Sequence, residues 1–391
     1  MEAFGGIRLR LWGVRDYYFG MKNLWLWMVV AIVLIGGYFV FFSKPSDVAG
    51  ETVKIGAALA LSGDAAPWGE VSRNAAQLAV DEINQGGGIN GKQVILAVED
   101  TKSSSKDSVT AVSKLVNVDK VQAVMITWLD SYPGAESVMP VNMPLVSQDA
   151  AIESVNVPVN HPNVFSLWYR TAAKAESVLG AMAQEQVKTA YIVTQNDSYY
   201  ATLNSFLKKE AGKQGIAIIA AESLNPSDDA RTVVAKIKSL KPDAVFFGSY
   251  DDKLSVNFIK SYRDIIGYSI PFYGDEFIEQ DFMGKSFNPA WFEGITYYVP
   301  ADPNKAFAEK YMARFGVGPK FSAGTTYDTV KILAKYLADM PSDTAAYMKG
   351  MSFNTVTYGK ISFDEIGGVV TDRTGIAIKR ISGGKIVSIP L

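Results

Sequence analysis

Residues 52–84 read "TVKIGAALALSGDAAPWGEVSRNAAQLAVDEIN". An apolar run gives way to a short polar loop, Ala60 to Glu70, that carries Trp68. A segment follows in which Val71, Ala75, Leu78, Ala79 and Ile83 share one face at helical spacing. Strand, loop and helix in that order open a parallel α/β sheet, and in such sheets the loop is where a site is presented. The next stretch, "GGGINGKQ" at 86–93, nearly matches the phosphate-cradling pattern G-x-x-x-x-G-K-[ST]. Gln93 stands where the hydroxyl belongs, and the stretch ends a helix instead of opening one, so it reads as a turn.

The alternation continues along the chain. Short runs rich in Val, Ile and Phe predict strands at 53–61, 93–99, 121–127, 144–147, 189–195, 216–222, 243–249, 270–273 and 294–299, most of them separated by helical stretches. They form two α/β sets, one on each side of "VFSLWYRT" at 164–171. Two doubly wound, Rossmann-like lobes suit that count better than one sheet. Toward the C-terminus "TYGKISFDEIGGVV" and "IAIKRISGGKIVSI" read as strands, with Gly383 and Gly384 as a hairpin turn.

Composition narrows the function. The chain has 391 residues, 48% of them hydrophobic, and a net charge of -2 with both signs interspersed, so no broad basic surface favours nucleic acid. It has no cysteine and one histidine, His161, in the loop "VNHPN". Zinc sites of the Cys/His kind and Cys-His or Ser-His-Asp catalysis need residues that the chain largely lacks, and His161 reads as an exposed loop residue. No nucleophile elbow, zinc-protease motif or calcium loop occurs, and the expectation is a non-enzyme without cofactor or metal.

The N-terminus carries an uncharged apolar run, Leu24 to Phe42, "LWLWMVVAIVLIGGYFVFF". At about 1.5 Å per residue it nearly spans a hydrocarbon core of about 30 Å, which predicts a transmembrane helix. Arg8, Arg10, Arg15 and Lys22 precede it, and this bias puts residues 1–23 in the cytoplasm and the body outside. A cleaved signal peptide is the competing reading, with Val48-Ala49-Gly50 as its processing site. Both readings export the body. Glu51 occupies the place of a lipidated cysteine, which excludes lipid anchoring there.

The loops after the expected strands carry Trp68, Trp128, Asp130, Ser131, Tyr132, Asp149, Tyr199, Tyr200, Tyr250, Asp251, Asp275 and Glu276. Aromatics with carboxylates suit the enclosure of a small polar or cationic molecule better than the gripping of phosphate. For any one of them, a solvated or helix-capping role is the ordinary reading; the functional case rests on several sharing equivalent loop ends.

The order of segments resembles the type I periplasmic-binding proteins, in particular the leucine/isoleucine/valine-binding family of ABC-transporter receptors. The block "IGAALALSGDAAPWGEVSRNAAQLAVDEINQGGGINGKQVILAVEDTKSS" is similar to that family's opening strand, loop, helix and second strand. "MPLVSQDAA", "FSLWYRT", "AYIVTQNDSYY", "SDDARTVVAKIKSLKPDAVFFGSY" and "IPFYGDEF" follow in the family's order.

The resemblance implies two lobes joined by a hinge of three crossovers. Lobe 1 is then expected over 52–168 and 298–347, and lobe 2 over 169–297 and 348–391, with 43–51 as the linker from the membrane helix. A small amino acid, amide or amine would be trapped between the lobes and passed to an ABC permease. A membrane-anchored sensing domain with a signalling partner is the alternative.

Carried over by motif, the expected ligand residues are Trp68, Asp130, Ser131, Asp149, Ala150, Ala151, Tyr199, Tyr250 and Glu276. Ser131, or Asp130 beside it, falls at the hydroxyl that holds a carboxylate. Glu276 falls where an amino group is met, a charge-assisted hydrogen bond. Three positions depart from the family's pattern: Ala151 replaces a second hydroxyl, Asp149 brings charge where a small neutral residue is usual, and Tyr200 replaces a Gly, which would narrow the cleft.

Overall fold

The structure is a computed structural model that describes residues 51–155, 162–284, 287–320, 322–371 and 375–390. The expected membrane helix at 24–42, its basic flank, the linker to residue 50 and His161 lie outside the described residues. Among the described residues no helix is long and apolar enough to cross a membrane.

Strand β1 (Val53–Leu59) lies inside a five-stranded sheet ordered β2-β1-β3-β4-β5, in which every pair is parallel. Its elements run β1, α1 (Ala66–Gln85), β2 (Val94–Asp100), α2 (Ser105–Asn117), β3 (Ala123–Ile126), α3 (Tyr132–Val138), β4 (Leu145–Ser147), α4 (Ile152–Val155) and β5 (Val164–Ser166). Alternate residues of β1 serve different faces, as a pleat requires. Ile55, Ala57 and Leu59 pack with Ala75, Ala76 and Ala79 of α1, whereas Ala58 joins Val112 and Leu115 of α2 and Tyr132 and Ala135 of α3. Burial on both faces is why these strands read as near-continuous apolar runs.

The second lobe repeats the pattern with α5 (Thr171–Gln184), β6 (Thr189–Gln195), α6 (Ser198–Ala211), β7 (Ala217–Leu224), α7 (Ala230–Leu240), β8 (Ala244–Gly248), α8 (Asp252–Ile265), β9 (Phe272–Gly274), α9 (Phe277–Met283) and β10 (Thr296–Pro300). Side chains start three of its helices: Asp197, Asp229 and Asp251 each accept a backbone N–H of the first turn. The ordinary reading of Asp251 as a cap therefore holds.

The chain then gives α10 (Lys305–Phe315), α11 (Ala323–Asp339), α12 (Thr344–Gly350) and a small antiparallel sheet of β11 (Phe353–Thr355), β12 (Gly359–Phe363) and β13 (Val369–Thr371). It closes with β14 (Ile376–Ser382) and β15 (Lys385–Ile389), a hairpin turning at Gly383 and Gly384, which both have positive φ. The hairpin extends the second sheet to the order β15-β14-β10-β9-β8-β6-β7.

Each expected strand is present with small end shifts, and β5 is an addition inside the stretch read as the divide. The lobe boundaries differ from expectation. β10 pairs with β9 and β14 and stays in the second sheet to Pro300. Residues 348–371 were expected in the second lobe, but Met348, Phe353, Ile361, Phe363 and Val369 pack in the core of the first, with Phe363 5.2 Å from the Phe165 ring. Strand propensity says that a segment is extended, not which sheet it joins; the aromatic contact with β5 decides it. The chain thus passes between the lobes three times, after β5, after β10 and after β13.

Candidate functional site

In both sheets the strand order reverses beside an inner strand, β1 in the first and β6 in the second. Loops at the carboxyl ends on the two sides of such a reversal splay apart and leave a crevice. The loops after β1, β3 and β4 face those after β6, β8 and β9 around a cavity of about 620 Å³ that is partly open to solvent. Trp68, Asp130, Asp149, Ala150, Tyr199, Tyr250 and Glu276 all line it. A second cavity of similar size shares Trp68 and Glu276 and is edged by the crossover after β10. The expected loops converge only on the first.

Trp68 sits in the first turn of α1, where the helix approaches the end of β1 so closely that a Cβ on Gly69 would lie 2.0 Å from the Ala60 carbonyl oxygen. That contact fixes the indole over the crevice. It meets Trp168 of the crossover after β5 edge-on at 6.1 Å, and Phe277 of the second lobe at 6.1 Å. Across the mouth, Trp128 of the first lobe meets Tyr250 of the second at 5.8 Å, also edge-on. Two aromatic pairs therefore bridge the lobes, each in a favoured tilted or edge geometry.

Trp128 takes a backbone conformation that bulky residues avoid, with φ at 71°. The carboxylate of Asp149 holds it there: the Trp128 N–H donates to Oδ1 at 3.0 Å and to Oδ2 at 3.1 Å. Burial pushes the Asp149 carboxyl up to about 7, against the lowering effect of that N–H. Asp197, on the opposite lobe, is also raised, by burial first and further by the negative charge of Asp130 across the cleft. Asp130 itself is raised by burial and by Asp64, with the Trp128 side chain opposing the shift. Acids from the two lobes thus feel each other through the cavity.

On the far wall, Glu276 accepts the Tyr199 hydroxyl at 2.9 Å and the ammonium of Lys174 at 3.1 Å, both at Oε1. Tyr200 does not narrow the cleft. It is fully buried behind it, stacked on Tyr250 at 6.0 Å and donating its hydroxyl to Asp275 at 2.6 Å. Gly248 leaves the room for it, since a Cβ there would lie 2.6 Å from the Tyr200 ring. Asp275 is held far above the ordinary carboxylate range by burial first and by Glu276 second.

Two expected residues are not in the cavity wall. Ser131 is fully buried and donates its hydroxyl to Thr101 Oγ1 at 2.9 Å, because the short turn over Leu129–Ser131 rotates it into the first lobe. Ala151 is fully buried in an apolar cluster with Trp68 and Trp168. Unexpected lining residues are Trp128, Leu129, Trp168, Asp197, Ser198 and Phe277. All but Trp168 adjoin an expected residue or lie in the same loop, the one signal that pointed to them. Trp168 and Lys174 lay in segments read only as divide and helix. No Lys or Arg is among the described residues lining the cavity, and no His/Cys/Asp/Glu cluster fit for a metal occurs among the described residues.

The family model described as "Periplasmic binding protein" matches residues 52–378. A leucine-, isoleucine-, valine-, threonine- and alanine-binding protein of Pseudomonas aeruginosa is 24% identical over 341 residues, covering 82% of this chain and 88% of its own. The fold is similar to that of the branched-chain amino acid transporter substrate-binding protein LivJ from Streptococcus pneumoniae, solved with isoleucine: TM-score 0.70, 23% identity, 87% of this chain and 100% of that one. It is also similar to a solute-binding protein of an ABC transporter from R. palustris solved with benzoate, at TM-score 0.69 and 21% identity, covering 87% and 96%.

Proposed function

Since this chain belongs to the periplasmic binding protein family and is a solute-binding receptor of an ABC uptake system, not an enzyme, we propose that its cargo is a small amine-bearing solute, trapped as a cation between the lobes. The observation that carries this is the charge of the cavity wall: Asp130, Asp149, Asp197 and Glu276 line it, among aromatic faces and without a basic side chain among the described lining residues. Aromatic faces and desolvated carboxylates both favour cations.

Relatives are named for branched-chain amino acids. Here an α-carboxylate would face Asp149 and Asp130, with the Ser131 hydroxyl spent on Thr101. An amine, or an amide with an amino group, fits better than a free amino acid. Acids of the two lobes repel across an empty cleft, and a cation between them removes that repulsion. The solute then favours the closed form through its larger contact there. The closed receptor is presented to a membrane permease on the outer side, where we propose that residues 24–42 keep it as an uncleaved anchor.

The test is calorimetric titration of the full chain with alkylamines, guanidines and quaternary ammonium ions, each against a neutral isostere and against branched-chain amino acids. Cations are expected to bind and to raise the melting temperature by mass action. Equal binding of the neutral isosteres, or tighter binding of the amino acids, rejects the cargo class. For the anchor, an intact N-terminus on membrane-extracted protein supports it, and a mature chain starting near residue 50 rejects it.

A further inference from the structure

Lys174 is a buried lysine that the cargo reading leaves unused. It stands in the first turn of α5, directly after the crossover from β5, with its side chain fully buried. Lysine is rarely buried without compensation. Here its Nζ donates to the Tyr199 hydroxyl at 2.6 Å and to Glu276 Oε1 at 3.1 Å, and lies 4.8 Å and 4.6 Å from the Tyr169 and Tyr199 ring centroids. Every one of these partners belongs to the protein, and Lys174 is not in the cavity wall.

Glu276 is left with one carboxylate oxygen. Oε2 is buried and makes no hydrogen bond of ordinary geometry among the described residues, the nearby Tyr169 hydroxyl included, while Glu276 itself lines the cavity. The carboxylate is charge-balanced by Lys174 and keeps one acceptor oxygen that Lys174 and Tyr199 do not use. A ligand ammonium placed on Oε2 would share one carboxylate with Lys174 and be repelled by it. A hydroxyl or amide N–H would satisfy the same oxygen without that repulsion. Among the described residues no ion pair is formed by Asp149 or Asp197, which also line the cavity and accept the backbone N–H groups of Trp128 and Tyr200.

Resting on the amine reading above, we propose that Lys174 is a built-in counter-cation that sets specificity. It takes the place on Glu276 that a ligand ammonium would fill, so the cargo's positive end is read at Asp149 and Asp197 and an uncharged donor is read at Glu276. The cargo class narrows to a monocation with a neutral hydrogen-bond donor at its far end, such as an amino alcohol or an amino amide. Diamines of equal length and α-amino acids are discriminated against.

The experiment is titration of the full chain with amino alcohols, amino amides and diamines of matched length. The wild type is expected to prefer the neutral-ended amines by about tenfold or more, and Lys174→Met to reverse the order in favour of diamines. A merely structural lysine would not reverse it. Because Lys174→Met strands a buried carboxylate, its melting curve is recorded beside the titration, and the wild-type preference is a second test that does not depend on the variant. Asp149→Asn is expected to lower amino alcohol affinity about tenfold or more. A wild type that prefers diamines, or a folded Lys174→Met that keeps the wild-type order, overturns the role of Lys174 while the cargo reading stands. Failure of every amine to bind overturns both.

Discussion

Asp149 does two things with one carboxylate: it pins the strained Trp128 backbone through the Trp128 N–H, and it offers negative charge to the cavity. Burial of this carboxylate and its charge toward the cavity predict opposite pH trends. In the ligand-free protein its carboxyl sits at about 7, above the ordinary value, so between roughly pH 4 and 7 the folded state binds more protons than the unfolded one. Its contribution to stability is therefore fully present below about pH 4 and lost as pH rises through 7. Amine binding needs the ionised form, so affinity is expected to fall about tenfold per pH unit below 7, with proton release on binding above the buffer baseline.

Asp149→Asn tests both trends at once. Asparagine still accepts the Trp128 N–H but carries no charge, so the ligand-free variant is expected to melt higher than the wild type at pH 8 and equally at pH 4, while losing amine affinity. Thermal melts across that range check the first part, and an unchanged melting temperature at pH 8 would reject it. Tyr250→Ala belongs to the same scale. It removes one face of the Trp128 pair and is expected to weaken a bound cation by about 1 kcal/mol or more, read by calorimetry.

At the scale of elements, the site exists because helices are packed hard onto strand ends. The close approach of α1 to Ala60 is what aims Trp68. Gly69→Ala puts a methyl against backbone that cannot yield cheaply, and is expected to destabilise the protein by about 1–3 kcal/mol and to weaken binding through a displaced Trp68. Denaturant unfolding and titration of the same sample check this; an unchanged midpoint would mean that the loop relaxes freely. Element types were legible in the sequence because strands buried on both faces leave long Val/Ile/Phe runs and the helices between them keep an apolar stripe. β5 was hidden, since three residues inside an aromatic stretch show no period.

At the scale of the whole molecule, the lobes meet through Trp68–Phe277 and Trp128–Tyr250, and the crossover after β5 is tied to the first lobe by Arg170, which bonds Glu153 at 2.5 Å and also Asp364. Residues of both lobes and of the crossovers that join them thus supply the contacts across the cleft. The chain has no cysteine, so Glu70→Cys and Lys253→Cys give one dye on the exposed surface of each lobe. Single-molecule energy transfer between them is expected to shift to one narrow population on addition of a binding amine. A distribution unmoved by saturating amine would rule out closure driven by ligand.

The class of fold and the loops that line the cavity were legible along the chain. Periodicity is a local property, and in a parallel α/β sheet local order dictates which loops fall at the carboxyl ends. Seven of the nine expected ligand residues line one cavity for that reason. Orientation and pairing came instead from contacts across the fold. Ser131 turned inward, 348–371 joined the first lobe, and Trp168 came to the wall from a crossover. Lys174, which looks in "TAAKAES" like any solvated helix lysine, arrived at Glu276 from 102 residues away. Each depends on contacts between segments distant in sequence, where burial and charge compensation act through space and leave no periodic trace along the chain.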